Sequence, residues 1–377
     1  MTEMGSLYHF QGKKNTLADI KKLDEQKLSI SGFVKQAIKT SNLVIFYGSG
    51  CSVGAIPMMG QTMAEILQND DNSDVQEKFS TYQSKTGASD SDIEGFLNWL
   101  QNGIAFESDL TKQQTLETVF EKVQKEFIET IPKYNDKNYF SSSCVETYSK
   151  FYQKIFEYRT PESDKLSIFT PNYDLFTEYA LEYNNISYTT GFTTDLTNKF
   201  DINQFKYRLV DDTNRYKDKW QPVKKEANLY KMHGSINWVQ DSEGQLYQRN
   251  YKTFESERVV IYPTQLKHQE TAQTPYSELF REFSNCLQKP NTTLLVMGYG
   301  FPDEHINTII SQNLQNPDFN LIIFGDKDEE KMKQFQDKNG KNNFHLIGGD
   351  ISGGKGHYFN VIVDEYLGSQ VENKDDE

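Results

Sequence analysis

Residues 43–54 read Leu43-Val44-Ile45-Phe46-Tyr47-Gly48-Ser49-Gly50-Cys51-Ser52-Val53-Gly54. Five apolar residues in a row run into a glycine-rich turn. A strand with one wet face alternates in polarity, whereas an unbroken apolar run that stops at Gly suits a strand covered on both faces of a parallel sheet. The glycines that follow let backbone N–H groups come close to a phosphate, and a helix starting there would favour its charge. The spacing is not G-x-G-x-x-G, since Val53 precedes the third glycine, Gly54. A tight structural corner without a ligand fits the same residues.

Outward from this stretch, strand-like runs recur at 166–169, 229–232, 259–262, 293–297, 321–324 and 344–347. Helical patterns separate several of them, at 175–183, 278–287, 305–314 and 329–338. That alternation predicts an α/β fold: a Rossmann-like parallel sheet with helices on both faces. Between 61 and 158 the period changes. Ile93, Phe96, Leu97 and Leu100 follow helical spacing behind a cap at Asp90 or Ser91, and Leu116, Val119, Phe120, Val123 and Phe127 follow it again before Pro132. The chain thus divides into an N-terminal arm at 1–29, a core at 30–60 and 159–367, a helical insertion at 61–158, and an acidic, disordered tail at 368–377. Residues 31–40 read as a short helix that leads into the first strand, and 185–228 as irregular structure with short strands.

Composition narrows the function classes. The chain has 377 residues and a net charge of -14, and its basic runs are interrupted by acids, which speaks against unaided binding to a nucleic-acid backbone. Twenty-five Phe and 22 Tyr allow a substantial core despite a hydrophobic fraction of 36%. Three scattered cysteines, Cys51, Cys144 and Cys286, fit neither a disulfide framework nor a zinc site and point to a reducing compartment. No signal peptide or membrane-length apolar run stands in the sequence, so the expected location is cytoplasmic.

Three further turns follow predicted strands. Thr170-Pro171-Asn172-Tyr173-Asp174 brings polar groups to a strand's carboxyl end, and Asn172 or Asp174 also suits a helix cap. His233-Gly234-Ser235 places an imidazole suited to proton transfer, or a structural histidine, in the same position. Gly298-Tyr299-Gly300-Phe301-Pro302-Asp303-Glu304-His305 opens a helix and could cradle a phosphate or ribose, or simply cap. In a parallel sheet all four turns meet on one edge, which suits an extended ligand such as a dinucleotide.

These residues resemble the sirtuin family. Gly48-Ser49-Gly50-Cys51-Ser52 looks like its G-A-G-x-S turn, Thr170 to Asp174 like its T-Q-N-x-D motif with Pro for Gln, and His233-Gly234-Ser235 like its H-G-S; Gly298 to Gly300 stands where the family has G-T-S. The resemblance implies NAD across the strand ends, with its pyrophosphate on the first turn. It implies Asn172 and His233 as the catalytic residues, and Gly48, Ser49, Gly50, Cys51, Ser52, Asp174, Gly298, Tyr299, Gly300 and Asp303 as NAD-binding. Three departures qualify it. Cys286 is the only cysteine after His233, so the zinc ribbon of the deacylases has no counterpart and no metal is expected. Met58 stands where sirtuins carry the Asp that contacts nicotinamide, and the helical insertion is foreign to deacylases. Together they resemble the zinc-less sirtuin-like effectors of bacterial antiphage defence, which hydrolyse NAD to nicotinamide and ADP-ribose. The stand-alone type implies a homo-oligomer partnered by a HerA-type hexameric ATPase. The alternatives are an NAD or ADP-ribose sensor without turnover, and an NAD-dependent deacylase or ADP-ribosyltransferase.

Overall fold

The computed structural model describes residues 6–40, 42–131, 143–160, 163–216, 219–241, 243–249 and 275–368. The strands in chain order are β1 (Ser6–Gln11), β2 (Lys14–Asn15), β3 (Asn42–Tyr47), β4 (Leu166–Thr170), β5 (Ser187–Thr189), β6 (Val210–Tyr216), β7 (Lys219–Pro222), β8 (Glu226–Lys231), β9 (Trp238–Gln240), β10 (Leu246–Gln248), β11 (Thr292–Met297), β12 (Phe319–Phe324), β13 (Phe344–Ile351) and β14 (Gly354–Lys355). The main sheet runs β2-β1-β13-β12-β11-β3-β4-β8-β5, with β14 on β13. From β13 across to β5 every pairing is parallel.

The unbroken apolar run explains the centre of that sheet. Every residue of β3 is buried. Leu43, Ile45 and Tyr47 pack on one layer, against α1 (Leu23–Ile38), α6 (Ser143–Tyr158) and α7 (Phe176–Tyr183). Val44 and Phe46 pack on the other, with Leu279 and Phe283 of α8 (Tyr276–Leu287), Ile306 and Ile310 of α9 (Glu304–Asn313), and Met332 and Phe335 of α10 (Glu330–Asn339). Both faces are covered, as the Rossmann-like reading requires.

The topology matters for the site. From β3 the chain moves outward to β4 and β8; much later β11 returns to the other side of β3. The strand order therefore reverses between β3 and β11. The crevice at the carboxyl ends of strands flanking such a reversal is where open α/β sheets hold ligands.

Two regions differ from the sequence expectation. Residues 6–11 are a strand, not part of an arm: β1 lies antiparallel along β13, and His9 is buried against His345. The side chains that bury it, Leu7, Tyr8 and His9, stand close to Lys13 and Lys14, so averaged polarity hides a short strand. The first helix likewise begins at Leu23 rather than at 31. Within 61–158, α6 packs in the sheet's own layer through Tyr148, Phe151, Tyr152 and Ile155. The part that stands apart is α2 (Met59–Gln68), α3 (Ser73–Thr86), α4 (Ile93–Phe106) and α5 (Leu110–Glu129). Its core of Met63, Phe79, Phe96, Leu100 and Val123 also takes in Tyr173, Leu175 and Ile236, which follow β4 and β8 and tie the insertion to the sheet edge. Asp92, not Asp90 or Ser91, caps α4: one oxygen accepts from the Gly95 amide at 2.9 Å and the other from the Tyr82 hydroxyl at 2.6 Å. The run at 259–262 and the tail from 369 on lie outside the described residues. Among the described residues no helix is long and apolar enough to cross a membrane.

Candidate functional site

The glycine turn after β3 and the turn after β11 are packed directly on each other. The Gly48 amide donates to Met297 O at 3.0 Å and the Gly50 amide to Gly298 O at 2.9 Å. A Cβ on Gly48 would stand 2.6 Å from Gly298 O, and one on Gly298 2.5 Å from the Cys51 amide nitrogen. Gly298 also has φ +59°, in the left-handed region that favours glycine. The glycines are thus required first by the approach of two turns. The Gly48, Gly50 and Cys51 amides are bonded to backbone carbonyls. Ser49, at the exposed crest, is what the turn presents to solvent.

Beneath it lies a closed polar cluster. Ser52 is buried; its hydroxyl donates to Asp174 Oδ2 at 3.0 Å and is 3.1 Å from the Tyr148 hydroxyl. The other Asp174 oxygen accepts from the Phe176 amide at 3.1 Å and so starts α7. Burial beside Asp174 holds the Tyr148 hydroxyl well above its usual range, so it stays protonated. The Lys231 ammonium, at the end of β8, donates to the Asp174 carbonyl and lies 3.3 Å from Glu178. Burial raises the Glu178 carboxyl, with Lys231 opposing. Asp174 and Ser52 are therefore framework: they fix the loop that carries Asn172.

Asn172 is 7% exposed. Its amide NH₂ donates to Gly48 O at 3.2 Å and Ser52 Oγ at 3.3 Å. Both hydrogens are thereby committed to the first turn. Among the described residues nothing donates to Oδ1, which is left to accept from a hydroxyl or water. His233 follows β8. Its Nε2 is 3.5 Å from Asp303 Oδ2, and both side chains are nearly buried. The other Asp303 oxygen accepts from the His305 amide at 2.9 Å and the Ile306 amide at 3.3 Å, capping α9.

These groups share a cavity of about 320 Å³. Gly48, Ser49, Ser52, Asn172, Asp174, His233, Gly298, Tyr299, Gly300 and Asp303 line it, so ten of the twelve residues singled out in the sequence come together there. The other two, Gly50 and Cys51, face a second cavity of about 870 Å³ on the far side of the turns. The Cys51 side chain is buried and burial pushes its thiol up, so it acts as core. Ser49, Met58 and the Gly298–Gly300 turn border both cavities. The Tyr299 ring turns inward onto Phe46, so its contribution to either cavity is mainly backbone. The next side chain, Phe301, is buried at φ +55°, a left-handed conformation that a non-glycine residue holds only under constraint from its surroundings.

The far wall of the smaller cavity was not legible in the sequence. Glu94 of α4, Phe127 of α5 and Ile131 join Ile56, Met58 and Met59 there. Glu94 is the carboxylate that the insertion brings to the cavity. The one available signal was its place beside the α4 cap, which is shared by countless surface residues. Among the described residues no group of three His, Cys, Asp or Glu could hold a metal ion.

Residues 166–342 match the SIR2-like domain. The matched stretch contains Asn172, His233 and the Gly298–Gly300 turn. Among solved structures, one titled "Sir2-p53 peptide-NAD+" is similar at 11% identity and a TM-score of 0.32, covering 81% of this chain and 95% of that one. No curated protein matches the chain.

Proposed function

We propose that this protein is an NAD hydrolase that cleaves the bond between nicotinamide and ribose. The observation that carries the reading is the meeting of Asn172 and His233 in one cavity beside the two glycine turns, at the reversal of strand order. NAD fits this edge in two halves. The smaller cavity, with its apolar wall of Ile56, Met58, Phe127 and Ile131, takes the nicotinamide riboside. The larger takes the adenosine, and the pyrophosphate passes over Ser49 and Gly300, which border both.

In the reaction the C–N bond breaks, its electron pair leaves with nicotinamide, and the ribose acquires oxocarbenium character. Asn172 Oδ1 accepts from a ribose hydroxyl or the attacking water, and His233 takes the water's proton as ADP-ribose forms. Fixed dipoles around the ribose lower the barrier without having to reorganise, and a positioned base adds about 10²–10⁴-fold. Glu94 takes the part of a carboxylate facing the nicotinamide carboxamide, the place that Met58 leaves unfilled.

At the cellular level the reading is a cytoplasmic antiphage effector that depletes NAD, works as a homo-oligomer and pairs with a HerA-type ATPase. The motif resemblance supports this. The competing reading, a sensor that binds NAD without turnover, draws on Met58. Purified protein, alone and with the ATPase, is incubated with NAD and nicotinamide is followed by chromatography. Release by the wild type but not by Asn172→Ala or His233→Ala of native circular dichroism is expected. Intact NAD recovered from the wild type under every condition, while still bound, would install the sensor reading instead.

A further inference from the structure

We propose that Asp303 is a positioning residue for His233: it holds the imidazole by its Nε2–H and raises its basicity, rather than contacting the dinucleotide. The inference rests on the NAD-hydrolase reading only for its catalytic consequence.

The geometry has three parts. Nε2 of His233 is 3.5 Å from Asp303 Oδ2, a charge-pair distance that a small ring rotation shortens to a hydrogen bond. The Asp303 carboxylate is itself fixed, because its other oxygen is anchored by two amides of the first turn of α9. Both side chains are largely shielded from solvent, at 11% and 8% exposure, so the charge acts with little screening. An Nε2–H directed at a carboxylate leaves the lone pair on Nδ1, which defines the atom that accepts a proton. When Nδ1 takes the proton of the attacking water, the resulting imidazolium faces a carboxylate already in place.

Among the described residues, the other charged groups near His233 are engaged elsewhere or lie on other walls of the cavity. Asp174 borders the same cavity but is engaged by Ser52 and the Phe176 amide. Lys231, two residues before His233, points to Asp174 O and Glu178. Glu94 borders the cavity from the opposite, helical wall, and Tyr299 keeps its hydroxyl protonated through burial. His305, on the first turn of α9, has its ring 4.8 Å from that of Phe280. Phe280 faces His233 too, at 6.4 Å between ring centres.

Asp303→Asn separates position from charge. Asparagine caps a helix as well as aspartate does, so the fold and the cavity wall persist while the carboxylate is lost. The His233 C2–H resonance, assigned by its absence in His233→Gln, is titrated by proton NMR in both proteins. The expected result is a His233 pKa lower by about one unit in Asp303→Asn, an unchanged melting temperature, and a pH profile of kcat displaced to lower pH with KM for NAD little changed. A His233 pKa that is the same in both proteins overturns the proposal, as does a rise in KM at constant kcat, which would return Asp303 to ligand binding. If the wild type proves unable to hydrolyse NAD, the titration still decides the pairing, so the two claims fail separately.

Discussion

The sheet edge and the helical insertion face each other across one cavity and contribute opposite things. The sheet supplies polar groups held by the ends of separate strands: Asn172 after β4, His233 after β8, Asp303 after β11. Among the described residues, the insertion supplies an apolar wall with one carboxylate, Glu94. Strand ends are fixed on both sides by parallel neighbours, whereas α2–α5 reach the sheet mainly through Tyr173, Leu175 and Ile236. The lesson is a division of labour. On the proposed reading, the rigid element carries the bond-breaking geometry, and the appended one excludes water and shapes what enters.

That contrast can be broken most severely at the sheet edge. Gly298→Ala adds a Cβ 2.5 Å from the Cys51 amide at a φ of +59°. It should cost on the order of 2–3 kcal/mol of stability and abolish nicotinamide release by forcing the two turns apart; a melting temperature and turnover both near wild type would show that the turns are not the clamp described here. Glu94→Ala tests the other side and should do less: a rise in KM of about tenfold with kcat reduced only a few-fold. A dinucleotide in which the carboxamide is replaced by an acetyl group should not distinguish wild type from Glu94→Ala. If kcat collapses instead, the insertion takes part in bond breaking and the division of labour fails.

The smallest effect at neutral pH lies far from both regions. His9 Nε2 and His345 Nδ1 are 3.0 Å apart and buried, and burial lowers each ring to about 4. Unfolded, these rings titrate near 6.5, so below that pH the unfolded chain binds protons that the folded one refuses. They cost nothing at pH 7, and stability falls as pH drops from 6.5 towards 4. Melting temperatures across that range should decline in the wild type and decline less steeply in His345→Gln, with turnover at pH 7 unchanged in both. Equal slopes would remove the pair from the acid response.

The centre of the sheet was legible because burial on both faces leaves a mark in β3, five apolar residues and a glycine, and shorter apolar runs in β11 and β12. The turns were legible because each repeats the same local grammar of small and polar residues behind such a run. β1 was not, since a short antiparallel strand near the sheet's margin needs only three buried side chains among polar ones. Nor was the role of the glycines, which depends on a partner turn some 250 residues away (Gly48 to Gly298). Glu94 illustrates the same limit: its meaning comes from what stands opposite it in space. Asp303 was visible as a residue of the fourth turn, but its relation to His233 emerged only with the distance between them.

The return of β11 to the side of β3 has a consequence for synthesis. β3 ends at Tyr47 and its neighbour β11 begins at Thr292. At about 5–20 residues per second, roughly 10–50 s pass on the ribosome before that neighbour exists. During this interval Asn172 and then His233 emerge, but the second turn and Asp303 do not. A nascent chain can therefore hold Asn172 and His233 before the turn and the carboxylate that complete their cavity exist. On the NAD-hydrolase reading, the order of the strands keeps the chain harmless until the second turn has been made.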